Sequence, residues 1–186
     1  MKVSREQAAE NRERILEVAS KLFRERGYEG IGVADLMKCA GLTHGGFYGH
    51  FLSKEDLMEK ASAKALDDSR QKWARRAADA PDDPLSGITS SYLSTRHRDN
   101  PGDGCLFAAL GSDTARQSLP LRHTVTEGLR SFIDLLATLT PGKSDELKRQ
   151  KALATSASMI GAMVLARFVD DSALSEEILE AVTRAI

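Results

Sequence analysis

Between positions 43 and 50, Thr43, His44, Tyr48 and His50 are interleaved with Gly45, Gly46 and Gly49. The four polar side chains all form hydrogen bonds and are of the types that reach phosphate oxygens or base edges. Each glycine costs a helix interior about 1 kcal/mol relative to alanine, so three of them in one short helix point to a role other than filling a core. Glycine lets a backbone come close to another surface, such as a sugar-phosphate chain. From these residues alone, a tight helical corner with one or two satisfied histidines is the alternative. Periodicity does not separate the two.

A second chemistry centres on Cys105. It follows Asp103-Gly104 at an expected helix start, where the helix dipole favours thiolate and raises reactivity. Arg96, His97 and Arg98 are basic residues available to help; a small buried hydrophobe is the alternative. Cys39 is expected to pack. His97, His123 and Cys105 match no metal-ligand spacing, and neither a metal nor a cofactor is expected. No Gly-x-Ser-x-Gly elbow, phosphate loop, His-Glu-x-x-His or Cys-x-x-Cys occurs in the chain, so catalysis is not expected.

The elements that must carry these residues read as helices almost throughout. Aromatic residues make up 5% of the chain, and alternating β-branched runs with hairpin turns are missing. Ser4 with Gln7 forms a capping-box pattern. Ile15, Ala19, Leu22 and Phe23 then mark one helical face, and Gly27 stands at the stop. Val33 to Ala40 forms a short helix ending at Gly41, and Thr43 caps a second one reaching about His50. Ser53 and Asp56 open a long helix from Lys54 to about Ala80. Segments 85–97, 105–117, 120–139, 144–170 and 175–186 follow. The expected fold is all-α, with about nine helices. Two short helices joined at Gly41-Leu42 behind a long one make a helix-turn-helix, whose second short helix enters the DNA major groove.

Length and composition set the bounds. The chain has 186 residues, 41% of them hydrophobic, and a formal charge of −1, which suits a folded globular chain rather than a disordered one. Residues 1–54, Lys2 included, hold nine Lys/Arg against seven Asp/Glu, a small excess that permits a DNA-facing end without establishing one. No apolar run is long enough to span a membrane, the charged N-terminus does not read as a secretory signal, and two cysteines fit a reducing compartment. A cytoplasmic location is expected.

The run Gly27 to Leu57, and above all Ala40-Gly41, Phe47-Tyr48, Phe51 and Lys54-Glu55-Asp56-Leu57, resembles the DNA-binding domain of the TetR family of bacterial transcriptional repressors. The resemblance covers about the first 60 residues. It implies a helix-turn-helix domain over 1–54, a ligand-binding and dimerisation domain over 55–186, and a homodimeric repressor released from operator DNA by a small molecule, an electrophile or an oxidant. A helical adaptor without DNA binding is the rival. Carried over by position, the resemblance puts Thr43, His44, Gly45, Tyr48 and His50 on the recognition helix, with Tyr48 and Lys54 at phosphates. Lys54 falls in the first turn of a helix, where its charge and the unpaired N–H groups face one phosphate. Phe47 and Phe51 read as core. Gly32 departs from the Ser or Thr usual at the first short helix, which shifts weight to Arg5, Arg12 or Lys38.

A regulator of this kind needs a dimer, because one helix-turn-helix reads too few base pairs. Residues Met159 to Ala166 are almost wholly apolar, so the last two helices are the expected interface. Expected linings of the ligand pocket are Trp73, Tyr92, Phe107, Phe132, Met159, Met163 and Phe168, with Arg96, His97, His123 or Arg130 as polar anchors. The inducer itself is not legible.

Overall fold

The computed structural model describes residues 4–186; Lys2 lies outside them. Nine α-helices and two 3-10 segments make up the described residues. They are α1 (Arg5–Arg26), α2 (Val33–Cys39), a 3-10 segment His44–Gly49, α3 (Lys54–Ala78), α4 (Pro84–Tyr92), α5 (Thr95–Asp99), a 3-10 segment Pro101–Asp103, α6 (Leu106–Thr114), α7 (Leu119–Leu139), α8 (Asp145–Phe168) and α9 (Ser172–Ala185). None of these helices is long and apolar enough to cross a membrane.

The helix starts follow from local chemistry. Ser4 accepts from the Gln7 N–H and Ser53 from the Asp56 N–H, each satisfying an otherwise orphaned donor. Gly27 ends α1 at φ +80°. After α2, Gly41 takes φ +69°, while the Leu42 N–H donates to Met37 O at 2.8 Å and the Gly41 N–H to Lys38 O at 3.0 Å. These two bonds form a Schellman turn, which needs a residue that tolerates the left-handed region and so selects glycine.

Three boundaries differ from the sequence expectation. The segment 85–97 is two helices, because the Ser94 side chain accepts from the His97 N–H and starts α5. Asp171 caps two N–H groups, of Ala173 and Leu174, so α9 begins at Ser172 rather than 175. The expected helix of 43–50 is a 3-10 segment, and the Thr43 side chain makes no capping bond.

The N-terminal core gathers Ile15, Ala19, Phe23, Leu36, Met37, Phe47, Phe51 and Leu57, all buried. Phe47 and Phe51 stack with centroids 5.7 Å apart. Each such side chain contributes about 1.5–3 kcal/mol by leaving water. Tyr28 is fully buried against Phe23, its hydroxyl 2.8 Å from Ser62 Oγ on α3, which ties the loop after α1 to the long helix. α3 begins at Lys54 and packs on both α1 and α7, so it contributes to both cores. The C-terminal core is carried by Phe132, Ile133 and Leu136 of α7 and by Ala152, Met159, Ala162, Met163 and Ala166 of α8.

Candidate functional site

The Schellman turn leads into the 3-10 segment, most of whose residues are exposed. Phe47 anchors it, while Thr43, His44, Gly45 and Gly49 are exposed and Tyr48 is 70% exposed; His50 is half-buried. A Cβ at Gly45 or Gly49 would meet nothing within 4 Å, and one at Gly46 only ordinary contacts. Internal packing therefore does not require these glycines, and what they leave open is the outer surface.

The helices that flank this segment in the chain carry cations. Arg12 lies 5.0 Å from the Phe51 ring centroid, a cation–π contact that holds the guanidinium next to the start of α3. Lys38 and Arg5 are exposed. Lys54, at the first position of α3, donates to Glu29 Oε2 at 2.9 Å. The Glu29 side chain is 77% exposed and that of Lys54 20%, so a phosphate approaching Lys54 would compete with Glu29 for it. Sequence reasoning missed Glu29. Cys39, expected to pack, is exposed on α2, since it follows the buried pair Leu36 and Met37 by two to three positions and has turned past the core face.

A cavity of about 570 Å³ opens beside the C-terminal part of α3, within the range that holds small organic ligands. Trp73, Tyr92, Ile88 and Cys105 line it, with Ser69 and Ser91. Lys72, Arg75, Arg76 and Arg96 also line it, opposed by Asp79 and Asp103. Of the expected residues, Trp73, Tyr92, Arg96, His97 and Cys105 meet here. The rest do not. Phe132 is buried behind Trp73, with ring centroids 4.1 Å apart, and Phe107 stacks on Phe132 at 6.3 Å. Met159 and Met163 are fully buried on the inner face of α8. His123 and Arg130 are exposed on α7, and Phe168 is 71% exposed. Apolar residues at helical spacing look alike in sequence whether they line a void or fill one. Sequence reasoning also missed Lys72, Arg75 and Arg76, although the run Arg70-Gln71-Lys72-Trp73-Ala74-Arg75-Arg76 sets cations around the chain's single tryptophan.

His97 is fixed as a neutral ring. Its Nδ1 lies 2.7 Å from Tyr92 O, which only accepts, so Nδ1 carries the proton. Nε2 accepts from the Cys105 N–H at 2.9 Å. Burial lowers its pKa to about 4. Both nitrogens are therefore occupied by backbone, and His97 supports the wall rather than anchoring a ligand. Cys105 stands at the start of α6, as expected, but it is buried, and burial pushes its thiol pKa up. Desolvation thus overrides the helix dipole, and the activated thiolate expected there is not favoured.

The cavity wall also touches α1. The 3-10 segment Pro101–Asp103 leads directly into the lining residues Asp103, Gly104 and Cys105. Arg24 of α1 donates from both Nε and Nη2 to Gly102 O, the Nε bond at 2.9 Å, and Lys21 pairs with Asp103 at 3.7 Å.

Comparison with known proteins agrees with this architecture. The family described as bacterial regulatory proteins, tetR family, matches residues 15–61. The transcriptional regulator LmrA of Bacillus subtilis is 32% identical over 127 residues, 66% of this chain and 67% of LmrA. The transcriptional regulator AcrR of Shigella flexneri is 32% identical over 83 residues, 45% of this chain and 39% of AcrR. The chain thus spans less than half of AcrR, and 46% of the repressor KstR2 of Mycolicibacterium smegmatis. Among solved structures, the reduced form of Escherichia coli NemR superposes with a TM-score of 0.79 over 95% of both chains at 23% identity. A TetR-family regulator from Agrobacterium tumefaciens superposes at 0.80 over 96% of this chain and 98% of that one, at 21% identity; both share the fold. With the helix-turn-helix geometry, the family match over α1 to α3 and the extended identity to LmrA, the chain belongs to the TetR family of bacterial regulatory proteins.

Proposed function

We propose that the protein is a cytoplasmic, homodimeric transcriptional repressor that binds operator DNA through the 3-10 segment His44–Gly49 and is released by a small molecule in the cavity beside Trp73. The observation that carries this reading is the exposed surface of Thr43, His44, Gly45 and Tyr48, open at Gly45 and Gly49 and flanked by Arg12, Lys38 and Lys54. Tyr48 and Lys54 hold phosphates, Lys38 adds charge, and Thr43, His44 and His50 are placed for base edges or backbone. Ligand binding acts on Gly104 and Asp103 and, through the bonds between Arg24 and Gly102 O, on α1. A small molecule is preferred over an oxidant as the signal because the Cys105 thiol is buried and its pKa raised.

The test is fluorescence anisotropy on DNA flanking the protein's own gene, titrated against unrelated competitor and salt. Saturable binding that survives competitor is expected. His44→Ala costs about 1–3 kcal/mol on the preferred sequence and little on random DNA, while Lys54→Ala weakens both and lowers the salt slope by about one. Absence of salt-dependent binding to either DNA rejects the repressor in favour of the adaptor.

A further inference from the structure

We infer that the cavity beside Trp73 takes an amphipathic anion, a small molecule with one carboxylate or phosphate group and an apolar body; this rests on the ligand-responsive reading above. The charge pattern along α3 carries it. α3 holds seven cations. The four nearest its N-terminus are all paired: Lys54 with Glu29, Lys60 with Asp56, Lys64 with Glu13 and Asp68, and Arg70 with Asp67. The remaining three, Lys72, Arg75 and Arg76, make no salt bridge among the described residues, and these three line the cavity. Arg96 joins them from α5, likewise without an acidic partner among the described residues.

The helix dipole favours cations in the last turn of α3. It accounts for neither Lys72, a turn earlier, nor Arg96 on another helix. Of the two carboxylates at the cavity, Asp103 pairs with Lys21 of α1. His97 is neutral, with both nitrogens bonded to backbone. Asp79 is the one carboxylate left to oppose Lys72, Arg75, Arg76 and Arg96, so the mouth carries a positive excess. Three guanidinium forks suit a carboxylate or phosphate, which they grip with paired N–H donors.

The floor supplies the other half. Trp73 presents a half-buried aromatic face, backed by the buried side chains of Ile88 and Tyr92. A ligand lays its apolar body on the Trp73 face, while its acidic end stays at the cationic mouth.

Trp73 is the chain's single tryptophan, so its emission reports on this cavity. The full-length protein is titrated, without DNA, with 4-phenylbutyrate, its phosphate counterpart 4-phenylbutyl phosphate, the neutral 4-phenylbutanol and the cationic 4-phenylbutylamine. At least one anion is expected to bind at least about tenfold tighter than the alcohol, and the amine not to saturate. Comparing carboxylate with phosphate assigns the head group. The double change Arg75→Gln, Arg76→Gln, and separately Arg96→Gln, are expected to bring anion and alcohol to near parity while leaving the thermal melt in place, since these side chains are exposed. Equal affinity of alcohol and anions for the unmodified protein, preference for the amine, or a Trp73 signal silent to both anions overturns the inference. Since the readout needs no DNA, anion binding that fails to release operator rejects the inducer role but keeps the ligand class.

Discussion

His97 shows how one side chain can shape the cavity without offering it a free hydrogen-bonding atom. Its ring bridges Tyr92 O and the Cys105 N–H, which joins the end of α4 to the start of α6. The ring packs so close to the chain that a Cβ at Gly104 would lie 2.7 Å from Nε2. Protonation would destroy the bond Nε2 accepts and place a charge near Arg167 and Lys72, both of which already oppose it. The unfolded imidazole titrates near its ordinary 6.5 and the folded one near 4, so between these values the unfolded chain binds the extra proton. Stability from this ring is complete above about pH 6.5 and is lost as pH falls through that window, by an amount on the order of 3 kcal/mol at most. Urea midpoints at pH 7.5 and pH 4.5 check this. The unmodified protein should lose markedly more stability on acidification than His97→Gln, and equal losses would assign the acid sensitivity to other groups.

Among the elements, the short 3-10 segment Pro101–Asp103 carries the most consequence for its length. A Cβ at Gly102 would collide with Glu25 Oε1 and stand 2.8 Å from Lys21 Cγ, which shows how closely this segment lies on α1. Arg24, largely desolvated, spends two donors on Gly102 O and a third on Ser20 Oγ at 3.0 Å. Arg24→Ala is expected to lower stability by about 1.5–3 kcal/mol, the range for losing hydrogen bonds from a charged donor, read as a shift in urea midpoint. It should also shrink the ratio of operator affinities without and with 4-phenylbutyrate, because the displaced cavity wall no longer pulls on α1. If Arg24→Ala keeps the full ratio, the signal travels along α3 instead. This connection was not legible in the sequence, where Arg24 and Gly102 lie 78 positions apart. What was legible is local. Ser4, Ser53, Gly27 and Gly41 announce their helix ends by hydrogen-bonding capacity or backbone freedom, and Phe23, Leu36 and Leu136 announce buried faces by spacing. The split between α4 and α5 was missed because Ser94 competes as a cap inside a run that otherwise reads as helix. The cavity was half legible: Trp73 and Tyr92 are large enough to suggest a lining, but sequence does not tell a wall from a core, so Phe132 and Met163 looked equally suitable.

For the molecule as a whole, the outstanding feature is an apolar face that no described residue covers. α8 buries Ala152, Ser156, Met159, Ala162, Met163 and Ala166 toward α7 and the body. Its other side exposes Leu153, Val164 and Leu165 by 41–46% and Phe168 by 71%, with small residues Ala154 and Ala157 also exposed between them, and Leu174 of α9 continues the patch at 43%. A monomer gains nothing from such a stripe, and contiguous exposed apolar surface of this kind marks an interaction site. Ala154 and Ala157 would let a facing helix approach closely, and two copies of α8 and α9 packed about a twofold axis would cover the patch in a self-complementary way. That arrangement would present two copies of the His44–Gly49 segment to successive half-sites of one duplex. The double change Leu165→Glu, Phe168→Glu leaves the monomer core untouched, since neither side chain is buried, but sets charges face to face across the twofold. Sedimentation is expected to show dimer for the unmodified protein and monomer for the variant, with an unchanged helical circular dichroism spectrum. Operator affinity should then fall by about 10²–10⁴-fold, the loss that follows when two linked half-site contacts become independent. A variant that remains dimeric would move the interface off α8, and one that is monomeric yet binds operator as tightly would show that a single copy suffices for recognition.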